Sequence, residues 1–279
     1  MGDMPPHPLA PLPPSLMGRP FPVRQAIAEG VPLRRTLHAS LDRPHHGARA
    51  PWPPRTLGQA TTALAVALPT PWAWSHDTAA EMLGLPIPTP WEPGRPLHVT
   101  RPSTTTRVRR PGVRGHIGLE SRATITVAGM PVVHPVPTWC DLAGVLPLID
   151  AVILGDAIAG RGASTTDQLL GDTPLARLTQ EARTRAGMRG ARRLRAAIAL
   201  VRDGSRSPME TRARLCFIGA GLPEPELNGE IHEDGQWIAT ADFVWRAQRL
   251  IVEYQGDHHR TDRGPGSYTQ LTLPHSGLG

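Results

Sequence analysis

Proline and glycine limit this chain more than any other feature: 32 and 28 of its 279 residues, about a fifth of the whole. A proline fixes φ and removes a backbone donor, while a glycine loosens the backbone, so long helices and long strands have little room. The combined share is roughly twice the ordinary one and predicts many turns between short elements. Hydrophobic residues at 39% and charged residues at 19% still allow a buried core. Two cysteines, Cys140 and Cys216, cannot build a disulfide framework. The start, Met1 to Arg19, lacks an apolar signal-peptide core. The most apolar stretch, 141–160, is interrupted by Pro147, Asp150 and Asp156. No membrane span is expected, and a cytoplasmic location follows as an expectation.

Lys and Arg together number 30 against 24 acids, and every one of these cations is Arg. The balance points to an acidic polymer, since the planar guanidinium fork binds two phosphate oxygens at once. A genome rich in Arg codons would also remove Lys, so only clustered arginines bear on function. One such cluster stands between Arg177 and Arg214: eleven arginines with three acids, Glu181, Asp203 and Glu210. Within it Leu194, Ala197, Ile198 and Val201 form one helical stripe, with Arg189, Arg192, Arg193 and Arg195 mostly elsewhere. This reads either as a solvated helix face or as a patch that tracks DNA phosphates.

Six prolines between Pro5 and Pro14 mark residues 1–18 as a leader without structure. Residues 19–55 suggest two short helices around a turn at Glu29-Gly30, with Arg34 and Arg35 on the second. They read as helix-turn-helix-like DNA contacts or as a small helical lead-in. Residues 56–172 mix short helices and strands: a helix over 61–68, one capped at Ser75-His76-Asp77, a strand over 97–100, a strand over 123–127, and helices over 139–146 and 149–158. His76, His98, His116 and His134 show no ligand-type spacing and read as ordinary core or surface histidines. Basic linker helices over 173–206 follow.

The chemistry-bearing segment is 207–263. Ser207, Pro208 and Glu210 read as N-cap, first helical position and capping-box acid. Strands are expected over 226–232, 237–245 and 250–255, the first two joined by a hairpin turn at Asp234-Gly235. Asp242 lies on the middle strand and Glu253-x-Gln255 on the next, so their carboxylates are expected to converge on one face. A hard cation such as Mg²⁺ takes a few carboxylate oxygens and keeps waters, one of which can attack a phosphodiester. Glu210 offers a third oxygen, or serves the helix cap alone.

Asp242 followed eleven residues later by Glu253-x-Gln255 resembles the PD-(D/E)XK nuclease core. SPMET (207–211), TADFVW (240–245) and IVEYQGDHHRTDR (251–263) are similar to the very-short-patch-repair (Vsr-like) endonuclease-related domain of actinobacterial proteins. Upstream, HDTAAEMLGLP (76–86), LHVTRP (97–102), RRPGVRGH (109–116) and GMPVVHPVPTWCDLA (129–143) resemble the AbiEi-type antitoxin-like region. The resemblance implies an α+β (mixed α/β) fold with a helix-turn-helix-like and antitoxin-like N-terminal half and a restriction-endonuclease-like core. It implies Asp242, Glu253 and Glu210 as metal ligands, and Gln255 where the family has Lys or Asp. It also implies His258 and His259 near the scissile phosphate, with DNA as partner and Mg²⁺ as cofactor. A toxin partner belongs to the alternative, a non-catalytic DNA-binding regulator of the antitoxin type. No small-molecule cofactor is expected. Residues 264–279 depart from the family pattern, so the core reads as incomplete.

Overall fold

The computed structural model describes residues 9–160 and 174–254, together with the backbone of 271–272. The chain is α+β and divides into two compact units, Met1–Thr138 and Trp139–Gly279. Gln255, His258, His259 and nearly all of 264–279 lie outside the described residues.

The first unit opens with helix α1 (Val23–Ala28) and the four-residue helix α2 (Leu33–Thr36), flanked by strands β1 (Phe21–Pro22) and β2 (Ala48–Arg49). The strands pair antiparallel, Phe21 opposite Arg49. Leu16, Phe21, Ala26, Val31 and Leu41 close a small apolar cluster beneath them. Helix α3 (Leu57–Ala65) starts at Thr56, whose hydroxyl accepts from the Gln59 N–H at 3.3 Å. Strand β3 (Ala73–Trp74) leads into helix α4 (His76–Met82). Strands β4 (Leu97–Arg101), β5 (Arg109–Arg110), β6 (Val113–Ile117), β7 (Thr124–Val127) and β8 (Met130–Val133) follow. They form a six-stranded mixed sheet in the order β5-β6-β4-β3-β8-β7. Leu97 and Val99 of β4 join Ala60, Leu64, Trp74, Ala79 and Val132 in the core. Alternation therefore sends His98 and Thr100 to the opposite face.

In the second unit, helix α6 (Leu148–Ala159) packs with α7 (Pro174–Thr184), α8 (Ala191–Leu200) and α9 (Pro208–Gly219). Helix α5 (Pro135–Ala143) contains the boundary between the units. Nearly every residue of α6 from Ala151 to Ala159 is buried, which explains why this stretch is the most apolar in the sequence without being a membrane span. Among the described residues, no helix is long and apolar enough to cross a membrane. Strands β9 (Glu226–Glu233), β10 (Gln236–Trp245), β11 (Leu250–Val252) and β12 (Leu271–Thr272) form an antiparallel sheet in the order β12-β11-β10-β9. Asp234 (φ 49°) and Gly235 (φ 77°) make the hairpin turn with the two positive φ angles that such a turn needs. Phe217 of α9 meets Phe243 and Trp245 edge-on at 5.3 and 5.2 Å.

Candidate functional site

Strands β10 and β11 pair Phe243 with Val252 and Val244 with Ile251. One step further along the same register, Asp242 stands across from Glu253, so the two side chains leave the sheet on one face. Their carboxyl groups interact directly. Partial burial, the charge of Asp242 and a hydrogen bond to it hold the Glu253 carboxyl above the usual carboxylate range. The Tyr254 N–H donates to Asp242 Oδ2 at 2.7 Å, which fixes that side chain where the strand ends. Two carboxylates so placed repel until a proton or a cation sits between them.

Glu210 does not complete a trio with them. Its N–H donates to the Ser207 hydroxyl at 3.2 Å, and its Oε2 accepts from the Arg206 N–H at 2.9 Å and from Asn228 Nδ2 at 2.8 Å. The side chain is buried, and through Oε2 it ties the start of α9 to β9. Among the described residues, the three acids do not form a set with ligand atoms within 4.8 Å of one another. Ser207 caps the helix through its hydroxyl, and the Glu210 carboxylate reaches back to the N–H of Arg206, one residue before the N-cap that a capping box would use.

The arginines between Arg177 and Arg214 divide into two kinds. Arg189, Arg192, Arg193 and Arg195 are exposed on or beside α8. Arg214 is fully buried and paired with Asp156 at 2.9 Å and Glu224 at 2.8 Å. Arg185 pairs with Asp141 at 2.5 Å and Glu181 at 3.0 Å, and Arg202 pairs with Glu224 at 3.0 Å. The run therefore holds both exposed guanidinium groups, Arg177, Arg183 and Arg206 among them, and others committed to ion pairs within the fold. In the first unit Arg34 is exposed, while Arg35 donates to the Ala10 carbonyl at 2.8 Å and to Ser40 at 3.1 Å.

Three of the histidines come together in space. His76, His98 and His116, far apart in sequence, have ring nitrogens within 4.8 Å of one another. Parallel strands β4 and β6 set Thr100 beside His116, and His98 lies two residues before Thr100, so His98 and His116 share a face. Strand β3 runs beside β4, and the Ser75 N–H donates to the His98 carbonyl at 3.1 Å. A left-handed His76 (φ 50°) then turns the chain into α4 and brings its ring over His116, centroids 3.7 Å apart. His98 Nδ1 and His116 Nε2 are 3.3 Å apart, and His98 Nε2 lies 3.5 Å from Asp77 Oδ2. Burial holds the His98 ring below the usual histidine range, although Asp77 pulls the other way. Spacing rules for one helix could not find this group, because each member comes from a different element. The signal available was that each lies in one of the short motifs quoted above.

No family model matches the chain. It is similar to uncharacterized protein MT2308 of Mycobacterium tuberculosis (strain CDC 1551 / Oshkosh) and uncharacterized protein Rv2248 of M. tuberculosis (strain ATCC 25618 / H37Rv), each 40% identical over 75 residues. The match spans 27% of this chain and 27% of each of these curated relatives.

Proposed function

We propose that this is a cytoplasmic DNA-binding protein whose helix-and-three-strand region hydrolyses phosphodiesters with the help of a divalent cation. The observation that carries the reading is the pairing of Asp242 with Glu253 across β10 and β11. Two hard oxygen donors on one sheet face suit Mg²⁺, and the raised proton affinity of Glu253 is what such a pair shows without a cation. When bound, Mg²⁺ would supply positive charge for the phosphate oxygens and lower the pKa of an attacking water.

The chain's own contribution is position. The Tyr254 N–H orients the Asp242 carboxylate, the β10–β11 register fixes Glu253 beside it, and the exposed arginines of α8 offer phosphate contacts. Gln255, His258 and His259 enter this reading through the family resemblance alone. A second reading is a non-catalytic DNA-binding regulator with a toxin partner. It is favoured by the engagement of Glu210 in the cap of α9, which leaves two carboxylates instead of three.

Incubation of supercoiled plasmid with Mg²⁺, Mn²⁺ or EDTA distinguishes the two. Nicking that needs the cation and disappears in Asp242→Asn and Glu253→Gln supports hydrolysis. DNA retention without any cation-dependent nicking supports the regulator.

A further inference from the structure

We infer that His76, His98 and His116 form a binding site for a borderline transition-metal cation such as Zn²⁺, on the six-stranded sheet of the first unit. This inference does not rest on the nuclease reading, which concerns residues of the second unit.

Three observations carry it. First, the ring nitrogens of the three histidines already lie within 4.8 Å of one another. Zn²⁺ binds imidazole nitrogen at about 2.0–2.1 Å, so two ligands of a tetrahedral ion are separated by about 3.3 Å. The separation of His98 Nδ1 from His116 Nε2 is 3.3 Å. Second, His98 directs its other nitrogen at Asp77, 3.5 Å away. A carboxylate behind a metal-binding imidazole fixes the tautomer and raises the basicity of the nitrogen that faces the ion. Third, the donor chemistry is selective. Three neutral imidazoles suit Zn²⁺, Cu²⁺, Ni²⁺ or Co²⁺ and suit Mg²⁺ poorly, since the latter takes oxygen donors.

The fit requires one movement. The His76 ring is stacked on His116 with planes 16° apart, and stacked rings cannot both aim a lone pair at one point. The His76 ring also meets the Ser75 hydroxyl through Nδ1 at 3.1 Å, so presenting a nitrogen as the third ligand means a turn about the Cβ–Cγ bond that exchanges this contact and the stacking for the metal. Three imidazoles would leave the fourth position of a tetrahedral ion for water; the nearby cavity of about 210 Å³, lined by Asp77, Glu81, Arg95, Arg114 and His98 among others, lies on the Asp77 side of His98. Three protein ligands with one open position is the arrangement of zinc sites that act on a bound molecule instead of only holding a fold together.

The test is titration of untagged, chelator-treated protein with Co²⁺, followed by Zn²⁺ displacement. The Asp242→Asn chain is run in parallel, so that the acid pair cannot be mistaken for this site. The expected result is one equivalent of bound Co²⁺ with the strong visible absorption of a four-coordinate ion, retained in Asp242→Asn and displaced by Zn²⁺. His116→Gln and His98→Gln should abolish it, and Asp77→Asn should weaken binding about 10- to 100-fold while keeping the spectrum. Should His98→Gln fail to fold by circular dichroism, the partly exposed His76 and His116 carry the same test. No Co²⁺ spectrum, or one that persists in His116→Gln and His76→Gln, overturns the inference.

Discussion

Asp156 is 1% exposed, yet three donors converge on it: the Arg214 guanidinium at 2.9 Å, the Thr211 hydroxyl at 2.8 Å and the Arg202 N–H at 2.8 Å. Burial pushes its carboxyl upward, and these partners oppose that shift. Asp156→Ala would leave Arg214 buried with only part of its partners. A loss of about 3–5 kcal/mol in urea unfolding is expected, against a smaller one for Asp156→Asn, which keeps an acceptor. A loss below about 1 kcal/mol for Asp156→Ala would show that Arg214 reaches water or leans on Glu224 alone. Glu253, held up by partial burial and by the charge of Asp242, predicts a pH effect. Its folded proton affinity is raised, so the metal-free fold keeps a proton that the unfolded chain releases near the ordinary value of about 4.3. That contribution is complete below the ordinary value and is lost as pH rises through the raised one. The melting temperature of the metal-free protein should therefore fall across this window relative to Glu253→Gln. Parallel profiles for the two proteins would remove the claim.

At the scale of elements, α8 carries the test of the basic patch. With Arg189, Arg192, Arg193 and Arg195 each neutralising a phosphate, log K for duplex DNA should fall against log salt with a slope near about −3.6. Replacing Arg192 and Arg193 together with Gln should reduce that slope by about 1.8, measured by fluorescence anisotropy over a salt series. An unchanged slope would leave α8 a solvated face. The sequence was most legible where local chemistry decides. Ser207, Pro208 and Glu210 mark the start of α9, and Asp234-Gly235 marks the turn between β9 and β10, because cap and turn need particular residues at particular places. Elements two to four residues long were less legible: β3 (two residues) and β8 (four) show too few side chains for a period of two to emerge. The Asp242–Glu253 pair was accessible to pattern reading because Asp242 sits on β10 and Glu253 directly follows the neighbouring strand of the same meander. The histidine group was not, since a parallel pairing of β4 with β6 and a left-handed residue at His76 had to be known first.

For the molecule as a whole, high proline and glycine content and short elements go together. Among the described residues the longest helices, α6 and α9, reach 12 residues, and the longest strand, β10, reaches 10. Positive φ at Gly190 (88°) illustrates what glycine permits: it begins α8 with its backbone so near Gly144 that a Cβ would lie 2.8 Å from the Gly144 Cα. Assembly of an α+β fold from such pieces places the burden on connections between them, and the two larger sheets carry that burden unequally. Strand β10 returns on β9 through a turn that sets Gln236 against Glu233. Strand β3, by contrast, must find β8 across the intervening chain, Trp74 against Val132. Chain-closure entropy grows with the logarithm of the enclosed length, by about 0.6 kcal/mol for each doubling. The strand bearing Asp242 therefore finds its first partner at small entropic cost, while the sheet that carries the three histidines closes a far longer loop where β3 meets β8.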